Sequence, residues 1–194
     1  IVLIHFHLHD GIMVGKKKTN DIQFYTEVME LSHALDGSGK RGYGDAEELE
    51  DEQKERELRN RLNDEFQKFV RKVEETSSSE IEFDIPYREL GFNGVPHRAS
   101  VFLQPTVNCL VHLTEAPFTV LTLGDVQIAH FERVQFSLRN FDLVFIMKDF
   151  SVTHVNSIPM ESLDTIKEWL DSCNIKYYEG TQNLNWNRII QHIK

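Results

Sequence analysis

The stretch Ala129-His-Phe-Glu-Arg-Val-Gln-Phe-Ser-Leu-Arg-Asn-Phe-Asp-Leu-Val-Phe-Ile-Met-Lys-Asp-Phe150 decides how the second half of this chain folds. It ends one apolar run, Val126 to Val134, and contains another, Phe141 to Met147, with a short polar connection between them, the pattern of two strands and a tight turn. Further runs lie on either side: Ala99 to Leu103, Cys109 to Leu113 and Phe118 to Leu123 before it, and Val152 to Ser157 after it. Turn-forming segments such as Gln104-Pro-Thr-Val107, Glu115-Ala-Pro117 and Gly124-Asp125 separate them. Six closely spaced strands predict a curved antiparallel sheet or barrel. Pro159 and Ser162 then mark a helix start, and Leu163, Ile166, Trp169, Leu170 and Cys173 give it an apolar face. A helix over about Ser162 to Ser172 is expected to plug one end of the barrel.

The first half reads differently. Val2, Ile4, Phe6 and Leu8 alternate with Leu3, His5, His7 and His9, a period of two that marks a strand. Residues 12–14 and 22–28 read as two more strands, joined by a turn-like segment from Gly15 to Asn20, and strands 1–9 and 22–28 are expected to pair. Glycines at 37, 39, 42 and 44 make residues 31–44 a flexible connection. Asp45 is a natural N-cap with Glu48 three residues on, and Leu58, Leu62, Phe66, Phe69, Val70 and Val73 recur at helical spacing. A helix over 45–75 would be roughly 45 Å long. Its first half is expected to project or to bridge between modules, and Thr76-Ser-Ser-Ser79 is the clearest domain boundary.

Composition fits a folded chain: 194 residues, 40% of them hydrophobic and 10% aromatic, are enough to bury a core. The net charge of -10 disfavours nucleic-acid phosphates and permits basic partners. Cys109 and Cys173 lack metal or redox spacing, so two free thiols in a reduced compartment are expected. No apolar run approaches the ~18 to 20 residues of a membrane span, and no leader opens the chain. Because Ile1 begins directly in a strand pattern, the sequence reads as part of a longer protein.

Several clusters invite a chemical reading. His5, His7 and His9 share a strand face where imidazoles can chelate a metal, but no carboxylate or cysteine with ligand spacing stands nearby in sequence, so a solvated face is the expectation. His130 and Glu132 also alternate and mimic an acid/base pair, yet two polar residues on an exposed strand face explain them without a nucleophile. The glycines at 37–44 lack a P-loop ending, which leaves a linker. Lys16-Lys-Lys18 reads as a solvated hairpin turn rather than a DNA or lipid contact, and the Pro86 to Pro105 stretch offers too few cations for a phosphoinositide site. Six acids, Asp45, Glu47, Glu48, Glu50, Asp51 and Glu52, open the long helix. They suit the helix dipole and also form a surface for the lysines and arginines of a basic partner.

The chain also resembles a known family. The tract at 129–150, together with Gly91-Phe-Asn-Gly-Val-Pro-His-Arg98, Ile158-Pro-Met-Glu-Ser-Leu-Asp-Thr-Ile-Lys-Glu-Trp-Leu170 and Leu184-Asn-Trp-Asn-Arg-Ile-Ile190, is similar to the large subunit of the FACT histone chaperone. Phe6-His-Leu-His-Asp10 and Asp21-Ile-Gln-Phe-Tyr-Thr-Glu27 extend the resemblance to that family's middle domain. The resemblance implies a mainly β fold with helices, built of tandem pleckstrin-homology-like modules. Residues 1–78 would be the back end of the first, incomplete module and 80–194 the second, a barrel with a capping helix and a C-terminal U-turn; earlier strands and an acidic tail would lie outside this sequence. It further implies a non-catalytic, cofactor-free histone-binding module of a nuclear, chromosome-associated chaperone. Members pair with a smaller subunit, are assisted by an HMG-box protein, and reorganise nucleosomes in transcription, replication and repair. Core histone dimers and tetramers are the partners expected, with no sequence-specific DNA contact and no membrane. A pleckstrin-homology-like peptide- or lipid-binding adaptor is the alternative.

The binding site is expected in the segment from Tyr177 to Ile193. Gly180 allows a reversal, Asn183 or Asn185 can cap a helix, and Leu184, Trp186, Ile189, Ile190 and Ile193 supply more apolar surface than a short terminal helix needs. These five either complete the core or leave part of their surface open; the resemblance implies a U-turn used against a histone helix.

Overall fold

Apolar alternation at the start of the chain produces β1 (Val2–Val14), which turns back through Gly15 and Lys16 into the antiparallel β2 (Lys17–Thr26). A two-residue hairpin loop needs positive φ at its first position, and Gly15 supplies it at 64°. The expected pairing of the two strands is present, but the details differ. Residues 12–14 continue β1 rather than forming a strand of their own, and Lys17 and Lys18 lie in β2, so the turn is shorter than Gly15 to Asn20. The register shifts between His7 and Ile12, where Asn20 Nδ2 donates to the carbonyls of Leu8 (2.9 Å) and His9 (3.3 Å). That side chain satisfies backbone acceptors the bulge leaves over, so the strand continues past it.

The computed structural model describes residues 2–26, 45–77 and 80–193, with side chains in the long helix from residue 52 onward. The connection at 31–44 and residues 27–28 of the expected second strand lie outside the described residues. Contacts divide the chain into two units, Ile1–Phe83 and Asp84–Lys194.

Helix α1 (Asp45–Thr76) matches the expected span and packs against β1. Leu58, Leu62, Phe66, Val70 and Val73 are half-buried, while Phe69 is 49% exposed, so the apolar stripe is narrower than its spacing suggests. Glu74 Oε1 accepts the Phe83 N–H at 3.0 Å and fixes the exit from the helix. Phe6 meets Phe83 and Phe24 edge-on, with centroids 5.5 and 6.2 Å apart. Among the described residues of this unit, Ile4 is the one buried apolar side chain.

The second unit holds two four-stranded sheets. One orders β3 (Phe92–Gly94), β4 (Val101–Pro105), β5 (Cys109–His112) and β6 (Thr119–Thr122). The other orders β10 (Tyr177–Glu179), β7 (Val126–Glu132), β8 (Asn140–Met147) and β9 (Val152–Pro159). Backbone bonds between Val95 and Asn156 in both directions join β3 to β9 at one corner, and a 3-10 turn at Leu123–Asp125 carries β6 into β7 at another. Among the described strands, only β10 runs parallel to its neighbour. Helix α2 (Leu163–Ser172) inserts Ile166, Trp169 and Leu170 into the core that Phe92, Leu103, Phe131, Phe141 and Phe145 share. The six strands and the plugging helix read from sequence are all present. Two three-residue strands, β3 and β10, were not expected, because neither is long enough to show a period of two and both form only where a neighbour's edge is in place. Ser162 occupies the N-cap of α2 without a side-chain cap bond.

A buried carboxylate sets the geometry where β7, β8 and β9 meet. Asp142 accepts a bidentate bond from Arg133, at 2.5 Å from Nε and 2.7 Å from Nη2, and a third from the Ser157 N–H at 2.8 Å. Arg133 and Ser157 both have positive φ, 58° and 55°. Such conformations cost on the order of 1–3 kcal/mol each and persist where surroundings dictate them. The carboxylate is that surrounding: its hydrogen bond to Arg133 raises the guanidinium above its ordinary value.

Leu170, fully buried in the core, should cost about 2–5 kcal/mol when changed to Ala. Ile193, 64% exposed, should change stability by less than about 0.5 kcal/mol under the same substitution. Urea unfolding of both variants checks this through the midpoint shift at constant slope.

Candidate functional site

Glu132 organises the C-terminal segment. It ends β7 on the outer face of the sheet, and at 2% exposure it is a buried carboxylate. Burial of a charge is tolerated only with hydrogen-bonding partners, and the tail supplies two: the Trp186 indole N–H at 2.8 Å and the Leu184 backbone N–H at 2.9 Å, both to Oε1. Helix α3 (Trp186–Ile193) is thereby laid across the strands. Trp186 packs with Val144 and Ile146 of β8, and Ile128, Val152 and Ile189 close around them. Asn185 is the cap, its Oδ1 accepting the Arg188 N–H at 3.1 Å.

Gly180 works differently from the expected reversal. Its φ is not left-handed; its N–H bonds to the Phe131 carbonyl (2.9 Å) and its carbonyl accepts from Val134 (3.1 Å), extending the β10 to β7 pairing. A Cβ there would meet His130 Cε1 at 3.2 Å, so close approach is what glycine permits. His130 and Glu132 do not form an exposed face either. His130 is half-buried against the Trp186 ring, with centroids 5.3 Å apart, because α3 covers this side of the sheet. Burial holds its imidazole below the ordinary value, against the opposing pull of the Glu132 charge.

The five apolar residues divide. Trp186 and Ile190 are buried and Ile189 is half-buried, so these three hold the helix down. Leu184, 41% exposed, and Ile193 remain open to solvent. Sequence reasoning missed Phe136, whose side chain stands fully exposed at the β7–β8 connection, with exposed Leu138 two residues on. Gln135 Nε2 donates to the Thr181 carbonyl at 2.7 Å and ties that connection to the tail. An aromatic inside an otherwise polar turn was the available signal. Of the acidic residues, Glu52 is exposed on α1, while the side chains of Asp45, Glu47, Glu48, Glu50 and Asp51 lie outside the described residues. Cys109 and Cys173 are free, and burial pushes the Cys109 thiol up.

Of the three histidines on β1, His7 and His9 are exposed as expected, and His5 is not. His5 is buried at its side chain (4% exposed), and the hairpin register sets Asp21 opposite His7, supplying the carboxylate that is remote in sequence.

Two family profiles match the chain: "FACT complex subunit SPT16 PH-like domain" over residues 1–73 and "Histone chaperone Rttp106-like, middle domain" over residues 93–179. Curated proteins called FACT complex subunit SPT16 align with all of it, at 51% identity in Oryza sativa subsp. japonica, 50% in Dictyostelium discoideum and 52% in Mycosarcoma maydis. The chain belongs to the SPT16 family. It spans 18–19% of the length of these relatives. The mainly β architecture with few helices accords with the PH-like description of the SPT16 family. A solved structure titled "Structure of the Spt16D Pob3N heterodimer" aligns over 54% of this chain and 57% of that one, at 14% identity and a TM-score of 0.34, too weak a likeness to bear on the fold.

Changing Glu132 to Ala strands the buried Trp186 indole N–H and the part-buried Leu184 N–H and should cost about 1–3 kcal/mol. Amide exchange should then quicken across 181–193 while β4 and β5 stay protected, as hydrogen-exchange mass spectrometry would show.

A pH dependence follows from His130. Its folded value is depressed, so its stabilising contribution is complete above the unfolded value near 6.5 and is lost as pH falls through the window below it. Thermal unfolding from pH 7.5 to 5 should show that acid limb, and a His130→Gln variant should show a smaller one.

Proposed function

We propose that this chain is a histone-binding segment of a FACT-type chaperone, acting without catalysis or cofactor. The observation that carries the reading is the 51% identity along the entire chain to a protein named FACT complex subunit SPT16, supported by the histone-chaperone profile over the second unit. The partners are core histones, as dimers and tetramers, with the smaller FACT subunit as neighbour in the full protein. Its place is the nucleus, on chromosomes, where nucleosomes are reorganised during transcription, replication and repair.

The physical mechanism is competition for histone surface. A net charge of -10 suits basic partners and repels DNA phosphates. Leu184 precedes and Ile193 ends a helix whose Trp186 and Ile189 are committed to the sheet, so they offer anchors that binding can desolvate with little cost in reordering. Phe136 adds a third anchor beside the tail. The six acids at 45–52 form a second contact for histone lysines and arginines. Occupying histone faces that DNA or other histones would otherwise cover holds a partly opened nucleosome without ATP.

Titration against histone dimers and tetramers at near-physiological salt tests this. Leu184→Ala should lose roughly 1–2 kcal/mol of affinity with folding intact. Undiminished affinity in a folded Leu184→Ala/Ile193→Ala variant moves the site to the acidic start of α1, and preference for phosphoinositide vesicles over histones favours the adaptor reading instead.

A further inference from the structure

In the β1–β2 hairpin, three side chains able to ligate a metal converge. His5 and His7 are two residues apart on one strand and therefore share a face. The register opposes His7 to Asp21, and both imidazoles aim at the same carboxylate oxygen: His7 Nδ1 lies 2.8 Å and His5 Nε2 3.1 Å from Asp21 Oδ1. All three ligand atoms fall within 4.8 Å of one another.

We infer that His5, His7 and Asp21 form a site for a divalent transition ion of the zinc class, which clasps β1 to β2. Ligand type and spacing select the ion. Two imidazoles and one carboxylate suit zinc and its neighbours, whereas calcium and magnesium prefer oxygen alone. With metal–ligand bonds of ~2.0–2.1 Å, ligands of a tetrahedral ion lie about 3.3 Å apart, so the observed nitrogen-to-oxygen distances need to open by only a few tenths of an ångström. Three protein ligands leave a fourth position for water.

The surroundings hold the ligands in place. Thr19 Oγ1 accepts the Asp21 N–H at 3.1 Å and donates to the Asp21 carbonyl at 3.3 Å, fixing the carboxylate's backbone. The bulge that Asn20 bridges ends the paired segment beside His7. None of this depends on the histone reading.

The test is a titration of the chelator-treated full chain with zinc, in competition with a chromophoric chelator, and with cobalt by visible absorption. The expected result is one equivalent of zinc, a tetrahedral cobalt spectrum, and affinity at least tenfold lower in His7→Gln and in Asp21→Asn, both of which alter side chains near the surface and should keep the fold by circular dichroism. His154→Gln, in the other unit, should bind as the parent does. Zinc should also slow amide exchange in residues 3–7 and 21–25 at least tenfold in the parent and not in Asp21→Asn. No saturable binding, or binding equally tight in the His7 and Asp21 variants, overturns the proposal.

Discussion

Strand β8 is buried on both faces, and the second unit depends on that. Phe141, Leu143 and Phe145 point into the barrel, while Asp142, Val144 and Ile146 point outward, and all six are buried. An outer face of this kind requires a cover. Helix α3 is the cover, and Glu132 is its fastening, because a carboxylate with its N–H donors supplied by the tail is stable there and one without them is not. The arrangement fixes which residues of α3 are spent on the sheet and which face solvent, so the candidate contact surface is a consequence of how the barrel is sealed.

The two carboxylates where β7 ends and β8 begins act in concert. Glu132 and Asp142 are register partners across β7 and β8, and each gathers donors from a different direction: Glu132 from the tail, Asp142 from Arg133 and the β9 bulge. The Arg133 guanidinium responds to both charges. Two positive-φ residues and a helix dock are thus set by one pair of acids, since side chains opposed on neighbouring strands stand close.

Much of this was legible in the sequence. Strands β4 to β9 and helix α2 follow from apolar runs broken by turn residues, and α1 follows from its helical spacing. What stayed hidden was long-range. Glu132 looked like an exposed strand residue because nothing near it in sequence discloses that Trp186, 54 positions on, donates to it. His5 looked solvated because its carboxylate partner lies 16 residues away across a hairpin whose bulge the sequence does not mark. The division of the tail was likewise closed to sequence, since Leu184 and Ile190 are equally apolar and only the way the tail docks on the sheet separates them. The family, by contrast, was plain from ordered blocks along the chain, and full-length identity near 50% bears it out.

Hydrogen exchange of the chain with and without bound core histones tests the central claim most directly, since it maps contact residue by residue without altering a side chain. Protection gained at the N-terminal turn and the last turn of α3 and at the 135–138 connection, with β8 unchanged because it is already sealed, is the result this account predicts. Protection confined to other surfaces, with 181–193 and 135–138 exchanging as in the free chain, would contradict it.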